Sequence, residues 1–253
     1  MAWAGRALRT GRSLPDVSEG VRSQWTCARS LVLGESGRGH GARMNWQPNL
    51  TDPDIFHITH VKNLAGIIAA GGLSSDAGLA ARKIAATNIG YTQIKAGRLT
   101  KPVPSHPGTT VGQFVPFYFC PRSVMLYVVN LGNTGLPPGC QVDILHLVSR
   151  VSVASTLGQW AFTTLNAAAA FTTVFYTSLK DLGNVQWGAM PQVNWKQCKD
   201  ERQAEFLVRD FFPWTAFHEI WVHGSSAAQQ VKAILNGVKH QPKVYVRPDC
   251  YYP

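Results

Sequence analysis

Gln203-Ala204-Glu205 stands directly before the apolar run Phe206-Leu207-Val208. A carboxylate at the mouth of a buried strand can stabilise developing positive charge or accept a proton; a hydrated strand end is the plain alternative. A spacing of two puts Gln203 and Glu205 on one face if the strand begins at Gln203. Arg98 follows a glycine in Ile94-Lys95-Ala96-Gly97-Arg98-Leu99, with Lys95 and Lys101 beside it. Read as a lone arginine in a long loop, its fork suits two oxygens of a phosphate at once; read as a cluster, it is a solvated face. His57 and His60 flank Ile58-Thr59 where a strand gives way to a helix. They are either capping or surface histidines, or part of a pocket whose imidazoles and backbone amides hydrogen-bond an amide or a ribose hydroxyl. A metal would need further ligands, and His146, His218 and His223 lack metal-site spacing. Phe114 to Ser123 is aromatic-dense and bounded by Pro116 and Pro121, which suits a core strand with a turn or a rigid stacking wall.

These side chains need a scaffold, and the punctuation after Met44 is that of a compact α+β domain. Ile55–Ile58 reads as a strand behind the turn signal Asp52-Pro53-Asp54. Thr59 is placed to cap a helix carrying Val61, Leu64, Ile67 and Ile68 at helical spacing, stopped by Gly71-Gly72. Residues 74–112 hold a weakly helical patch near Ala80–Ala86 and otherwise read as a long loop, a class that is usually functional or mobile. Phe114–Phe119, Val142–Val148, Glu205–Val208, Glu219–His223 and Val244–Val246 read as strands, and Ser123–Asn130 as a short apolar segment. The alanine-rich Leu157–Phe171 and Ala227–Leu235 read as helices. Several short strands with few helices between them favour α+β over a doubly wound sheet. No GxGxxG or GxxxxGKS occurs, so neither a Rossmann nor a P-loop site is supported.

Of the 253 residues, 45% are hydrophobic, which excludes wholesale disorder. No apolar run is long enough for a transmembrane helix, so no membrane partner is expected. The net charge of +10 favours a polyanionic partner. Residues 1–43 carry seven arginines and three acids, yet the remainder keeps a net +6, so the bias is not only a tail effect. This arginine-rich segment resembles a transit peptide, or a disordered or mis-started extension, and the folded domain is placed at 44–253. Five scattered cysteines without a CxxC pair read as free thiols in a reducing cytoplasm.

Four ordered motifs carry a resemblance. His57-Ile58-Thr59-His60-Val61-Lys62-Asn63-Leu64, the Ile94–Arg98 stretch, Val115-Pro116-Phe117-Tyr118-Phe119 with Pro121-Arg122-Ser123, and Arg202-Gln203-Ala204-Glu205-Phe206-Leu207-Val208 together resemble the DarT family. The likeness runs from about Asp54 to Val246. DarT proteins are bacterial toxins that ADP-ribosylate bases of single-stranded DNA with NAD+. The resemblance implies the ADP-ribosyltransferase fold, with a split pair of small β-sheets and flanking helices. It implies NAD+ binding by the His57-Ile58-Thr59 strand end with His60, the Ile58 backbone meeting the carboxamide, and by Asn63. Arg98 matches an arginine that binds NAD+ phosphate and assists catalysis, Tyr118 an aromatic near the nicotinamide, and Glu205 the catalytic glutamate. Many family members have two adjacent arginines where this chain has Gly97-Arg98, and Val124 replaces a proline. The stretch from about Val185 to Arg202 matches the substrate-recognition loop, with a DarG-type macrodomain antitoxin as partner to a monomeric toxin and thymidine as the favoured base.

Cleaving the nicotinamide bond builds positive charge on the ribose, which a carboxylate can stabilise. Single-stranded DNA needs positive charge interleaved with stacking aromatics, and Trp187, Trp195, Lys196, Lys199 and Arg202 offer both. Two rivals stand beside this reading: an NAD+-dependent RNA 2′-phosphotransferase on the same fold, and a non-catalytic nucleic-acid-binding module.

Overall fold

The computed structural model describes residues 44–83, 86–90, 92–169, 173–192 and 194–253; the expected extension at 1–43 lies outside them. Strand β1 is Asp54–His60. A 3-10 turn at Val61–Asn63 then leads into helix α1, Leu64–Ala69. The turn is capped by His60 rather than Thr59: its Nδ1 accepts from the Lys62 amide at 3.2 Å, while Thr59 remains in the strand. Gly71 has φ +77° and stops the helix. Gly72 opens β2, Gly72–Ser74, where a Cβ would stand 2.1 Å from the Phe212 carbonyl oxygen, so no larger residue fits.

The segment read as a long loop folds into two helices. Helix α2 is Asp76–Ala81, with the Ser75 hydroxyl accepting from the Gly78 amide as its N-cap. Helix α3 is Thr92–Thr100 and carries Arg98 in its last turn. Then come β3 (Phe114–Tyr118), α4 (Val124–Asn130, capped by Ser123), β4 (Ile144–Arg150) and the single turn α5 (Val151–Ala154). The helix expected at Leu157–Phe171 is not formed over its described residues. Trp160–Thr163 is strand β5 and a turn follows to residue 169, because Trp160, Ala161 and Phe162 pack as a ladder against β7. Tertiary pairing overrides the helical propensity of the alanines. The chain closes with β6 (Phe175–Tyr176), β7 (Glu205–Arg209), β8 (Phe211–Pro213), β9 (Glu219–Val222), α6 (Ser225–Leu235) and β10 (Lys243–Val246).

Eight strands lie in the order β10-β9-β4-β1-β3-β7-β5-β6, and β2 and β8 form a small second sheet. The eight divide into two four-stranded halves. Between β1 and β3 the register records one pair, Phe56↔Tyr118, whereas β1 and β4 pair along seven residues. This is the expected split pair of sheets, seamed at one point. The seam has a second tie, from the His57 Nδ1–H to the Pro116 carbonyl at 2.8 Å. Pro116 is tolerated inside β3 because the carbonyl and the missing donor share the side of the strand that faces the split.

Alternation along β3 and β7 sorts the core into two layers. Phe117, Phe119 and Phe206 belong to the main core, with Phe212, Phe217 and Trp214 around them. Phe114 and Leu207 belong to a smaller one with Val103, Val111 and Ala167. By alternation Tyr118 and Glu205 share the face of Phe114 and Leu207, and Tyr118 also packs against the main core. Among the described residues no helix is long and apolar enough to cross a membrane, and no three His, Cys, Asp or Glu side chains are grouped to hold a metal ion.

Candidate active site

Glu205 is the first residue of β7 and pairs directly with Tyr118, the last of β3. Directly opposed residues of an antiparallel pair share a face, so the two side chains enter the same layer. Arg98 reaches that layer from α3, and its Nη1 donates to both carboxylate oxygens, at 3.1 Å to Oε1 and 2.9 Å to Oε2. Arg98 is 7% exposed and Glu205 1%, so the pair is nearly dry. The Ala167 amide donates to Oε1 at 3.0 Å, and the Glu205 amide donates to the Thr163 hydroxyl at 3.3 Å.

The electrostatics follow from burial and this pair. Burial opposes the charge on Arg98, yet Glu205, with Tyr118 and Asp76 beside it, outweighs that and holds the guanidinium above its ordinary range. Burial, with Glu205 alongside, pushes the Tyr118 phenol well up, so it stays a neutral donor. Burial lowers His57 to about 4 against the opposing effect of its bond to Pro116, so the imidazole is neutral near pH 7. Asp76 lies close enough to act on His57, Arg98 and Tyr118, and Lys95 on His57; the two are joined to each other at 3.2 Å. The cluster is therefore His57, Arg98, Tyr118 and Glu205, with one carboxylate as its buried negative charge. Arg98 Nη2 is buried without a hydrogen-bond partner among the described residues. An unmet donor beside a neutral imidazole and a phenol suits an anionic, hydroxyl-rich ligand such as a dinucleotide.

A family model for DarT, described as ssDNA thymidine ADP-ribosyltransferase, matches residues 56–252. The chain belongs to the DarT family. It is 39% identical over 201 residues to a DNA ADP-ribosyl transferase of Thermus aquaticus, covering 78% of this chain and 88% of that one. DarT of Thermus sp. 2.9 in complex with NAD+ is similar with a TM-score of 0.71 and 33% identity, over 82% of this chain and 100% of that one. The same protein in complex with ADP-ribosylated ssDNA gives 0.72 and 32%, over 79% and 96%.

Other expected site residues of this DarT-family chain lie elsewhere. His60 is spent as a cap. Asn63 is held on both sides of its amide, donating to Thr59 Oγ1 and the Thr87 carbonyl and accepting from the Thr87 amide at 2.8 Å. It fastens residues 86–90 to the end of β1. Trp187 meets Phe119 edge-on at 5.2 Å and donates to the Leu182 carbonyl. Phe119 belongs to the main core, against which Trp187 packs. Trp195 is half-buried against Tyr127 at 5.2 Å and Tyr252 at 6.2 Å. Both tryptophans are half-buried and packed against the main core.

Arg202 corrects the expectation most sharply. It is 1% exposed and donates to the carbonyls of Ala189, Gln192 and Arg122. A guanidinium enclosed by main-chain oxygens is not on a DNA-facing surface. Lys196 is exposed and Lys199 half-buried on the same loop. Gln203 lies in a 3-10 turn before β7, so no strand alternation links it to Glu205. It accepts from Asn166 at 3.2 Å. Thr163, Asn166 and Ala167 were not anticipated. They sit in the alanine-rich stretch whose composition signals helix.

Proposed function

We propose that this chain transfers ADP-ribose from NAD+ to thymidine in single-stranded DNA and releases nicotinamide. The observation that carries the proposal is the buried Arg98–Glu205 pair opposite Tyr118, in a chain of the DarT family. Bound NAD+ supplies a ribose carbon on which positive charge develops as the nicotinamide bond weakens. Glu205 faces that charge and takes up a proton or a ribose hydroxyl through Oε2, which accepts from Arg98 alone among the described residues, while Oε1 is also held by Ala167. Arg98 keeps the carboxylate oriented with Nη1 and has Nη2 left for a phosphate or hydroxyl oxygen. His57 and Tyr118 offer uncharged hydrogen-bonding groups and exclude water. Lys196 is exposed on the 185–202 stretch and can meet DNA phosphates there, with Lys199 half-buried beside it.

Incubation with NAD+ and single-stranded oligonucleotides should add the mass of one ADP-ribose to strands containing thymidine and none to strands without it. Glu205→Ala should lower transfer by roughly two to four orders of magnitude, the scale of lost charge stabilisation or proton transfer. Transfer near the wild-type rate in that variant would remove Glu205 from the chemistry. Family membership favours this activity over RNA 2′-phosphate transfer and over mere nucleic-acid binding. Toxicity in a bacterial host and its neutralisation by a DarG-type macrodomain partner belong to the same proposal. Growth arrest by the wild type, relieved by the partner and absent with Glu205→Ala, is the expected result.

A further inference from the structure

The turn between β5 and β6 meets the carboxylate through backbone among the described residues. The residue that leads into it, Thr163 at the end of β5, is fully buried. The Thr163 hydroxyl accepts from the Glu205 amide at 3.3 Å and donates to the Leu165 carbonyl at 2.6 Å. That second bond curls the chain back, and four residues after Thr163 the Ala167 amide donates to Glu205 Oε1 at 3.0 Å. The Asn166 side chain stiffens the curl, accepting from the Ala168 amide at 2.8 Å and donating to Gln203 at 3.2 Å. Ala167 is itself seated in the smaller core with Val103, Val111, Phe114 and Leu207. The turn thus grips Glu205 at both ends, its backbone through Thr163 and one carboxylate oxygen through Ala167.

We propose that Thr163 is a positioning residue for Glu205, acting through the turn it closes, and that Asn166 secures the same turn from outside. The inference rests on the reading of Glu205 as the carboxylate that meets the ribose. A side chain with several rotatable bonds keeps one orientation only if more than one contact fixes it. Arg98 alone touches both oxygens through one nitrogen and leaves the carboxylate free to rotate about that contact. With Oε1 committed to Ala167, Oε2 is presented in a single direction. Valine has the shape of threonine without either hydrogen bond, and serine retains both.

Thr163→Val should lower kcat about 10- to 100-fold, the scale of a displacement near 1 Å at a reacting group. The KM for NAD+ and its affinity measured by calorimetry should stay within about twofold. Thr163→Ser should recover most of the loss. Asn166→Ala, which leaves β5 intact, should reproduce part of it and serves if Thr163→Val folds poorly. In a Glu205→Ala background Thr163→Val should cost nothing further, because the group it positions is gone. A kcat near the wild-type value in both Thr163→Val and Asn166→Ala, with Glu205→Ala inactive, would overturn the inference and leave the reading of Glu205 standing. An active Glu205→Ala would overturn the reading itself. A Thr163→Ser as slow as Thr163→Val would show that packing, not the hydroxyl, is at work.

Discussion

Burial rather than charge sets the protonation behaviour of the site's neighbours. His57 and His146 are both brought down to about 4 by burial. His146 donates from Nε2 to the Pro121 carbonyl, and its Nδ1 is enclosed without a partner among the described residues. In the unfolded chain these imidazoles protonate near pH 6.5, so between pH 6.5 and 4 the unfolded state binds more protons than the folded one. Stability therefore falls with pH across that window, by about 3 kcal/mol for each histidine. Asp54 works the other way: burial raises it to about 6, so its contribution grows as pH falls through that value and offsets part of the loss. Urea unfolding followed from pH 8 to pH 4 should show a net decline that begins near pH 6.5. A flat profile would mean that the two rings protonate without resistance in the fold. At this scale the sequence was informative where a polar residue interrupts an apolar run, as at Glu205. It was silent on Thr163 and Ala167, whose roles come from a turn that no periodicity announces.

Elements were legible in proportion to their pattern. Strands β3, β7 and β9 and helix α6 have apolar runs or helical stripes bounded by breakers, and the expected spans lie within a few residues of those found. Helix α3 has only Ile94 and Leu99 as large apolar residues around Gly97, so nothing marked it as a helix. Strands β2 and β8 have three residues each, too few for a period of two to emerge. The 185–202 stretch reads as basic and aromatic in sequence, which suggests DNA, but Arg202 is enclosed and Trp187 and Trp195 are half-buried. Trp195→Ala should therefore destabilise the fold by about 2 kcal/mol by vacating its place against Tyr127 and Tyr252. Arg202→Met should cost about 3 kcal/mol or more, since three carbonyls lose a charged donor at once. Thermal melts of the two variants, set beside oligonucleotide affinity at matched folded fraction, check both. Unchanged melting with weakened DNA binding would restore the stacking role of Trp195.

The whole domain is held at its outer turns as well as at its centre. Met44 and Trp46 are buried, and Trp46 meets Phe56 edge-on at 5.6 Å. Tyr252 donates to the Arg122 carbonyl at 2.8 Å, and its backbone exchanges two bonds with Gln141. A chain starting at Met44 should melt within a few degrees of the full chain, while one starting at Pro48 should lose about 2–4 kcal/mol for the vacated tryptophan site. A large drop already at Met44 would place the domain boundary earlier. The order of strands has one further effect. Strand β7 lies between β3 and β5, and Glu205 meets an arginine 107 positions earlier in the chain. Pairings of such long span form late in folding because their closure entropy must be met first. A nascent chain has β3 and the β5–β6 pair before β7, the strand that joins them, is made. Competence should therefore arrive in one step during biosynthesis, and a fragment truncated before Glu205 would be inert however much of it had folded.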